Sequence, residues 1–239
     1  MSSGRRPDFD KDYKIYKDHV ANQEVLLENF MINSVRKCPT TETALQLIAR
    51  FETLQLGCLY LEDQYYEQIA MFTDEIETLR DRYNEEREEP DIPRNMPPAA
   101  GRIIWIRFYD KTIQEPMQVF KQQDIVINHP NTQKCIKLFN IMSIVFTEYE
   151  LIYHDAWAEN VGQVRLGLIA PLLIRHPTTN MIIVNFNVYI PECIREVEYM
   201  WQFGLSVPDA AQIVAYCKDK IFADHEMIKH LVERNNQIR

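Results

Sequence analysis

The 239-residue chain contains little glycine, and this scarcity limits the fold classes open to it. Only 6 glycines occur, whereas all-β folds need many tight turns in which glycine is a preferred residue. The low count argues against a β-sandwich. Hydrophobic residues make up 46% of the chain and charged residues 26%, close to globular averages, so a wholly disordered chain is excluded.

The cysteines are few, far apart and odd in number. They are Cys38, Cys58, Cys135, Cys193 and Cys217. No two of them have the spacing of metal ligands, and a disulfide framework is unusual in a chain of this length. Cys193 and Cys217 have no basic cluster beside them that would lower a thiol pKa, so we expect inert thiols. The sequence predicts a reduced, cytosolic protein.

The sequence also lacks a basic surplus, a long apolar run and an apolar segment behind its first residues. Its 26 Lys and Arg against 35 Asp and Glu give a net charge of −9, which disfavours nucleic-acid phosphates as a partner. A membrane-spanning helix needs about 20 consecutive apolar residues, and none of the uncharged runs is that long. We therefore expect no nucleic-acid partner, no membrane insertion and no secretory signal.

None of the common catalytic or metal-binding motifs is present in the sequence. The phosphate-binding loop, the Gly-x-Ser-x-Gly elbow, His-Glu-x-x-His and Cys-x-x-Cys are all missing. His154 and Asp155, near Trp157, could suggest acid–base chemistry, but no nucleophile accompanies them. A structural polar pair near the end of a buried helix is the favoured interpretation. We predict no catalytic residue, no cofactor and no metal ligand, and no partner-binding residue is identified.

Hydrophobic periodicity predicts three helices before residue 90. The first covers about residues 8–36, and a threonine cap at residues 40–42 begins the second. The apolar stripe of the first helix is Tyr13, Tyr16, Val20, Leu27 and Met31, widened by Phe30. The third helix has the clearest stripe, with steps of four and three that are typical of a helix packed nearly parallel to a neighbour. Its members are Tyr65, Ile69, Phe72, Ile76, Leu79 and Tyr83.

A proline-rich linker follows these helices. Residues 84–91 are strongly acidic, and Pro90, Pro93, Pro97 and Pro98 come in quick succession. Proline cannot donate a backbone hydrogen bond and biases the residue before it away from helix, so a solvated linker is favoured over a recognition patch for a basic partner. We predict an N-terminal helical bundle segment over residues 1–89, a linker over 90–98 and a second helical part over 99–239.

The second part is expected to combine helices with one β-hairpin. Helices are predicted over residues 99–123, with a kink near Pro116, and over 132–160. The stripe of the longer helix is Leu138, Met142, Val145, Tyr149, Ile152 and Ala156. Between Cys135 and Phe146 it is apolar nearly all round, as in a helix buried on several sides. Two β-branched runs near residues 164–186 predict the hairpin, and helices over 192–203, 208–222 and 223–239 follow. The fold class is mainly α.

The order of several short motifs resembles the tail of dynein heavy chains. Residues Ile92–Trp105 are similar to the family's Pro-x-Asn-Met/Phe-Pro-Pro-Val/Met-Ala-Gly-x-Ile-x-Trp segment. Further similar pieces follow in the family's order at Ile113–Met117, Tyr153–Trp157, Leu173–Pro177, Ile183–Phe186, Ile194–Glu196 and Gly204–Pro208. Departures at Ala100, Arg107–Tyr109 and Asn187 bear on the subfamily rather than on the fold. The sequence resembles axonemal heavy chains, of the outer-arm type, more than cytoplasmic heavy chains.

The resemblance implies an elongated tail of stacked helical bundles in a microtubule-based motor complex. In the family, the tail holds intermediate, light-intermediate or light chains, meets other heavy chains, and anchors the complex to cargo or the axonemal doublet. The ATPase ring and the microtubule-binding stalk lie far C-terminal to it. We therefore expect no enzymatic activity, no direct motor-type microtubule contact from this segment, and a location in the cytoplasm, cytoskeleton and ciliary axoneme.

Two other functions stay open at this point. A stand-alone helical adaptor could pair with another helix through the stripe from Tyr65 to Tyr83. An enzyme of unrecognised type is disfavoured, because neither a nucleophile with its base nor a metal constellation is visible. If the chain is a piece of a longer tail, the face from Tyr13 to Met31 and the last helix should expose apolar stripes meant for neighbouring elements.

Overall fold

A computed structural model of the chain describes residues 9–123, 127, 129–163 and 171–238. This part contains eight helices and one two-stranded sheet, which confirms the predicted mainly-α class with a β-hairpin. The elements are α1 (Phe9–Arg36), α2 (Thr41–Glu52), α3 (Leu61–Glu86), α4 (Pro98–Lys121), α5 (Pro130–Gln163), β1 (Leu173–Arg175), β2 (Ile182–Val184), α6 (Tyr189–Gln202), α7 (Asp209–Tyr216) and α8 (Lys218–Gln237).

The described residues divide into two compact units. Unit 1 draws on residues 1–87 and 109–144, and unit 2 draws on residues 88–108 and 145–239. Helices α4 and α5 thus contribute residues to both units. The division of the chain into folding domains at residues 90–98 stays a prediction.

In unit 1, helix α2 begins at the threonine cap that the sequence predicts. The hydroxyl of Thr40 accepts a hydrogen bond from Thr43 N at 3.3 Å, and the Thr43 hydroxyl accepts one from Thr40 N at 3.4 Å. This reciprocal pair supplies partners for two backbone donors at the start of the helix. Helix α2 packs against α1 and α3 and buries Ala44, Leu45 and Ile48.

Helix α3 buries its whole predicted stripe, which confirms the interpretation of its periodicity. All six apolar side chains from Tyr65 to Tyr83 are buried. The ring of Phe72 lies 5.6 Å from that of Phe120 in the last turns of α4. The Nζ of Lys134 in α5 lies 3.2 Å from the Glu77 carboxylate. The buried face of α3 coincides with the one apolar stripe in its sequence. The stripe could therefore be identified without knowledge of the helices that pack on α3.

Helix α1 leaves most of its predicted stripe in solvent. Among its residues only Met31 and Val35 are buried, both in the last two turns. Tyr16 and Phe30 are each 63% exposed. Helix α1 packs on α2 through the end that carries the buried pair. The expectation that this face would expose apolar side chains agrees with the structure.

Helix α5 buries a different face from the one predicted. From Thr132 to Tyr149 the buried residues recur at steps of three and four and share only Met142 and Tyr149 with the predicted stripe. They are Thr132, Cys135, Phe139, Met142, Phe146 and Tyr149, and His154 and Val161 are buried further along the helix. The expectation of burial on several sides is wrong, since Ile141 and Ile144 are each 58% exposed. A helix that is apolar nearly all round does not reveal which face its neighbours will cover.

In unit 2, strands β1 and β2 pair antiparallel as the predicted hairpin. Leu173 pairs with Val184 and Arg175 with Ile182. The connecting turn places Asn180 at a φ of 56°, a left-handed conformation that asparagine tolerates better than most residues. Helix α8 packs against β2. The part of the predicted hairpin over residues 164–170 lies outside the described residues.

The C-terminal helices differ from the prediction in their bounds. Helix α6 starts at Tyr189, before Pro191, and ends at Gln202 ahead of Gly204, which has a φ of 72°. The predicted helix over residues 208–222 is wrong, because α7 ends at Tyr216 and α8 begins at Lys218. At the break, Cys217 has φ −90° and ψ 6°, and no proline or glycine in the sequence marks it. Helix α8 buries no residue fully and exposes Met227 and Leu231.

Candidate functional site

The His154–Asp155 pair acts as a structural contact within unit 2. The His154 ring is buried, and its Nε2 lies 2.8 Å from the carbonyl oxygen of Ser206, so Nε2–H donates to that oxygen. Its Nδ1 lies 3.3 Å from the carboxylate of Asp155, which is solvent-exposed. The ring therefore ties α5 to the segment after α6. The pair lies inside α5, which continues to Gln163, rather than at the end of a helix.

The buried thiols are poorly suited to nucleophilic chemistry. Burial, helped by the charges of Glu196 and Glu192, raises the pKa of Cys193 to about 11. Burial also raises the pKa of Cys135. A thiol with a raised pKa carries little of the reactive thiolate at pH 7. Within the described ranges, no three His, Cys, Asp or Glu side chains gather as metal ligands. None of the described helices has the length and hydrophobicity to span a bilayer.

Glu196 on α6 is a buried carboxylate that caps the start of α4. Its side chain is 3% exposed, and its two oxygens accept hydrogen bonds from the backbone N–H groups of Ala99 and Ala100, each at 2.8 Å. The first N–H groups of a helix have no partner within the helix, and the helix dipole favours a negative charge there. Burial raises the pKa of Glu196, and the two backbone hydrogen bonds oppose that rise.

The linker segment packs closely on the first turns of α4. A Cβ added to Gly101 would lie 2.3 Å from Cγ2 of Ile92, so a glycine permits this close approach. Arg195 donates a hydrogen bond to the carbonyl oxygen of Asn95 at 3.5 Å, which connects α6 to the linker. The sequence motif Ile92–Trp105 is therefore a structural motif in which the linker, the start of α4 and α6 pack together.

Two arginines of α4 extend this set of contacts to α5 and to the end of α6. Arg107 forms a bidentate pair with Glu150, at 2.8 Å and 2.6 Å, and donates to the carbonyl oxygen of Phe203 at 3.2 Å. Arg102 donates to the hydroxyls of Tyr149 and Tyr153, at 3.0 Å and 3.2 Å. A guanidinium offers several donors in a fixed plane, so each arginine can join two elements.

We call this set of contacts the motif junction. It contains Ile92, Ala99, Ala100, Gly101, Arg102, Arg107, Glu150, His154, Glu196 and Ser206. Four of the motifs that carry the family resemblance meet there, from Ile92–Trp105, Tyr153–Trp157, Ile194–Glu196 and Gly204–Pro208. These motifs can be identified in the sequence, whereas the roles of Glu150 and Glu196 cannot. The available signal was the position of Glu196 among Cys193, Val197 and Met200, on the apolar face of α6.

A groove of about 310 Å³ lies next to the motif junction, between α5 and α6. Its walls combine two large aromatic rings with two carboxylates one helical turn apart. The lining residues are Trp157, Asn160, Val161, Tyr189, Glu192, Cys193 and Glu196. Trp157 is half-buried, and the neighbouring Tyr189 is exposed.

The chain matches the model of a known family over nearly all of its length. The family is described as dynein heavy chain, N-terminal region 1, and residues 3–239 match it. Dynein axonemal heavy chain 8 of Homo sapiens is 32% identical over 236 residues, which cover 98% of this chain and 5% of that protein. The dynein gamma chain, flagellar outer arm, of Chlamydomonas reinhardtii is 31% identical over 236 residues, or 96% of this chain and 5% of that protein.

A more distant relative shows how the similarity is graded. Dynein axonemal heavy chain 17 of Homo sapiens is 24% identical over 237 residues, which cover 94% of this chain and 5% of that protein. The chain therefore spans about 5% of the length of the relatives that it matches.

Proposed function

The chain belongs to the dynein heavy chain family, in its N-terminal region 1, and from this premise we propose that it is a tail segment that scaffolds an axonemal dynein complex. Its partners are intermediate, light-intermediate or light chains and other heavy chains. The observation that carries the proposal is the set of apolar helix faces that the chain leaves exposed. They include Tyr13, Tyr16 and Phe30 on α1, and Met227 and Leu231 on α8.

Exposed apolar faces of this kind support an assembly role on physical grounds. Burying apolar surface contributes about 25 cal/mol per Å², so a helix that leaves several aromatic residues in water can gain stability from a neighbour. Large apolar patches on a soluble surface mark sites of protein association. The exposed stripe of α1 runs over several turns at helical spacing, which suits a partner helix or the side of a helical bundle.

The proposed subtype is the outer-arm type, with the axoneme of a cilium as its location. Identity is 31–32% to the relatives named axonemal heavy chain 8 and flagellar outer-arm gamma chain, against 24% to axonemal heavy chain 17. The proposal includes no ATPase motor and no microtubule-binding stalk in this chain. The polar groups of the motif junction pair with one another and with backbone groups of neighbouring elements, as in a structural contact.

The alternative of a stand-alone adaptor depended on the stripe from Tyr65 to Tyr83. These side chains are buried within unit 1, so they do not offer a pairing surface to another protein. An adaptor function would have to use the exposed faces instead. The scaffold proposal uses those faces and agrees with the family to which the chain belongs.

The first experiment measures the mass of the native polypeptide. An antibody raised against residues 84–95 is used on a lysate of ciliated cells. We expect a single very large band, because the relatives are about twenty times longer than this chain. A band near the calculated 28.4 kDa would contradict a place in a complete motor and would indicate a motorless tail protein.

The second experiment tests the scaffold itself. The protein is tagged at its own locus, extracted from axonemes with salt and immunoprecipitated, and the co-purifying chains are identified. The double variant Tyr13→Asp, Tyr16→Asp places charge on the exposed stripe of α1. It should reduce the recovery of at least one accessory or heavy chain, because burying an unpaired charge in an interface is costly. Gln23→Asp, at an exposed polar position of the same helix, is the matched control. Unchanged recovery in both variants would overturn the use of this face.

A further inference from the structure

The groove between α5 and α6 combines features that suit a positively charged guest. Its volume of about 310 Å³ can hold one large side chain, and it lies within the usual range of ligand sites. The rings of Trp157 and Tyr189 belong to its lining. Aromatic faces carry a negative quadrupole that attracts a guanidinium or ammonium group placed over them.

The charged side chains among the described lining residues of the groove all have one sign. Glu192 and Glu196 both line it, one helical turn apart on α6, and none of the lining residues that the structure describes is Lys, Arg or His. Arg195 lies between them in sequence, but its guanidinium is directed to the carbonyl oxygen of Asn95 in the linker. A cationic guest would therefore meet the half-buried carboxylate of Glu192, with the buried charge of Glu196 behind it and no repelling charge among the described lining side chains.

The state of Glu196 gives independent support. Its carboxylate is almost fully buried, and its only described hydrogen bonds come from the backbone N–H groups of Ala99 and Ala100. Burial raises the pKa of Glu196, and the two backbone hydrogen bonds and the charge of Arg195 oppose that rise. A positive charge in the groove would further favour the ionised carboxylate.

We infer that this groove binds an arginine side chain presented by a partner polypeptide, with Trp157 and Tyr189 as the stacking surfaces and Glu192 as the rim carboxylate that pairs with the guanidinium. Arginine fits better than lysine, because its planar group can stack on a ring and bond to a carboxylate at the same time. Arg, Trp and Tyr are also the residues most enriched at the energetic centres of protein interfaces.

This inference rests on the proposed scaffold function and names one contact by which a partner is held. It uses only unit 2, whereas the exposed stripe of α1 belongs to unit 1. The two proposals can therefore fail separately. Co-purification of accessory chains tests the scaffold, and a small probe titrated into the isolated 239-residue chain tests the groove.

The experiment follows Trp157 while the groove is titrated. The chain is labelled with 5-fluorotryptophan, its three tryptophan signals are observed by fluorine NMR, and Trp157→Phe identifies the signal of interest. The probe is N-acetyl-arginine amide, and the control is N-acetyl-citrulline amide, which has nearly the same shape without the charge. We expect the Trp157 signal to shift saturably with the arginine probe and not with the citrulline probe.

Two charge variants complete the test. Glu192→Gln should weaken binding of the arginine probe about threefold to tenfold, in line with the loss of one partly exposed charged contact. Glu198→Gln removes the same charge from α6 at a position that pairs with Lys218 and does not line the groove, so it should leave the affinity unchanged. An equal response to both probes, equal effects of both variants, or no shift of the Trp157 signal would each overturn the inference.

Discussion

Removal of the Glu196 side chain tests whether the motif junction stabilises unit 2. In Glu196→Ala, the N–H groups of Ala99 and Ala100 both lose their acceptors, and Ala100 is fully buried. Each buried donor left without a partner costs about 1–3 kcal/mol. The deleted carboxylate also leaves space among the buried side chains around α6. We therefore expect a loss of about 2–5 kcal/mol in the free energy of unfolding.

The loss should be visible as a lower melting temperature. For a chain of this length, 1 kcal/mol corresponds to about 2–4 °C, so Glu196→Ala should melt about 4–20 °C below the wild type. Differential scanning calorimetry at pH 7 provides the measurement. Glu196→Gln should have a smaller effect of about 1–2 kcal/mol, because the amide keeps the volume and one acceptor and removes the buried charge.

A matched control lies one turn earlier on the same helix. Glu192 is half-buried and makes none of the backbone contacts of Glu196, so Glu192→Ala should change stability by about 0.5 kcal/mol or less. A melting temperature of Glu196→Ala within about 2 °C of that control would refute the reasoning. It would mean that water or a rearranged α4 satisfies the two N–H groups at little cost.

Three further outcomes follow from the same contacts. Burial raises the folded-state pKa of Glu196 above its unfolded value of about 4.3, so protonation of Glu196 favours the folded state. The stability of the wild type relative to Glu196→Gln should therefore be greatest below that value and fall as the pH rises through the folded pKa. Parallel urea titrations at several pH values would measure this dependence, and an opposite slope would contradict it. Arg107→Lys breaks the bidentate contact with Glu150, and because the arginine side chain is 37% exposed the loss of stability should be limited to about 1–2 kcal/mol. A double-mutant cycle with Glu150→Gln should show the coupling between the two side chains, and additive effects would refute it. Gly101→Ala should destabilise the protein by about 1–2 kcal/mol despite the better helix propensity of alanine, because the added Cβ would clash with Ile92. Adding Ile92→Ala to the same chain should relieve that clash, as thermal melts of the single and double variants would show. A stabilising effect of Gly101→Ala would contradict the close approach.

The position of the neighbouring element that covers each helix decides whether the buried face of that helix can be predicted from the sequence. The stripe from Tyr65 to Tyr83 was identified correctly because α3 is covered along one face within the chain itself. The stripe of α1 was identified as apolar, but no periodicity can say whether its neighbour belongs to the same chain. In α5 the apolar residues surround the helix, and the choice of Phe139 and Phe146 over Ile152 for burial came from packing alone.

The candidate site was predicted only in outline. The motifs that compose it could be found as ordered segments, but their chemistry could not. Glu196 pairs with the backbone N–H of Ala99, 97 residues away in the sequence, and a backbone donor leaves no signal in a sequence. The groove is likewise a product of packing, since Trp157 on α5 and Tyr189 at the start of α6 are separated by the hairpin.

The sequence by itself determined most of the helices, the threonine cap of α2, the turn that joins β1 and β2, and the family, because these depend on local periodicity, on the special backbone chemistry of proline, glycine and threonine, and on ordered motifs. The tertiary structure alone decided which apolar faces are buried, which charged side chains become partners of backbone groups, and where a groove remains open. Those outcomes depend on contacts between residues far apart in the chain, such as Glu196 with Ala100 and Arg107 with Glu150. Such contacts form only when several helices pack together and exclude water, which is why the buried carboxylate of Glu196 was visible only in the folded chain.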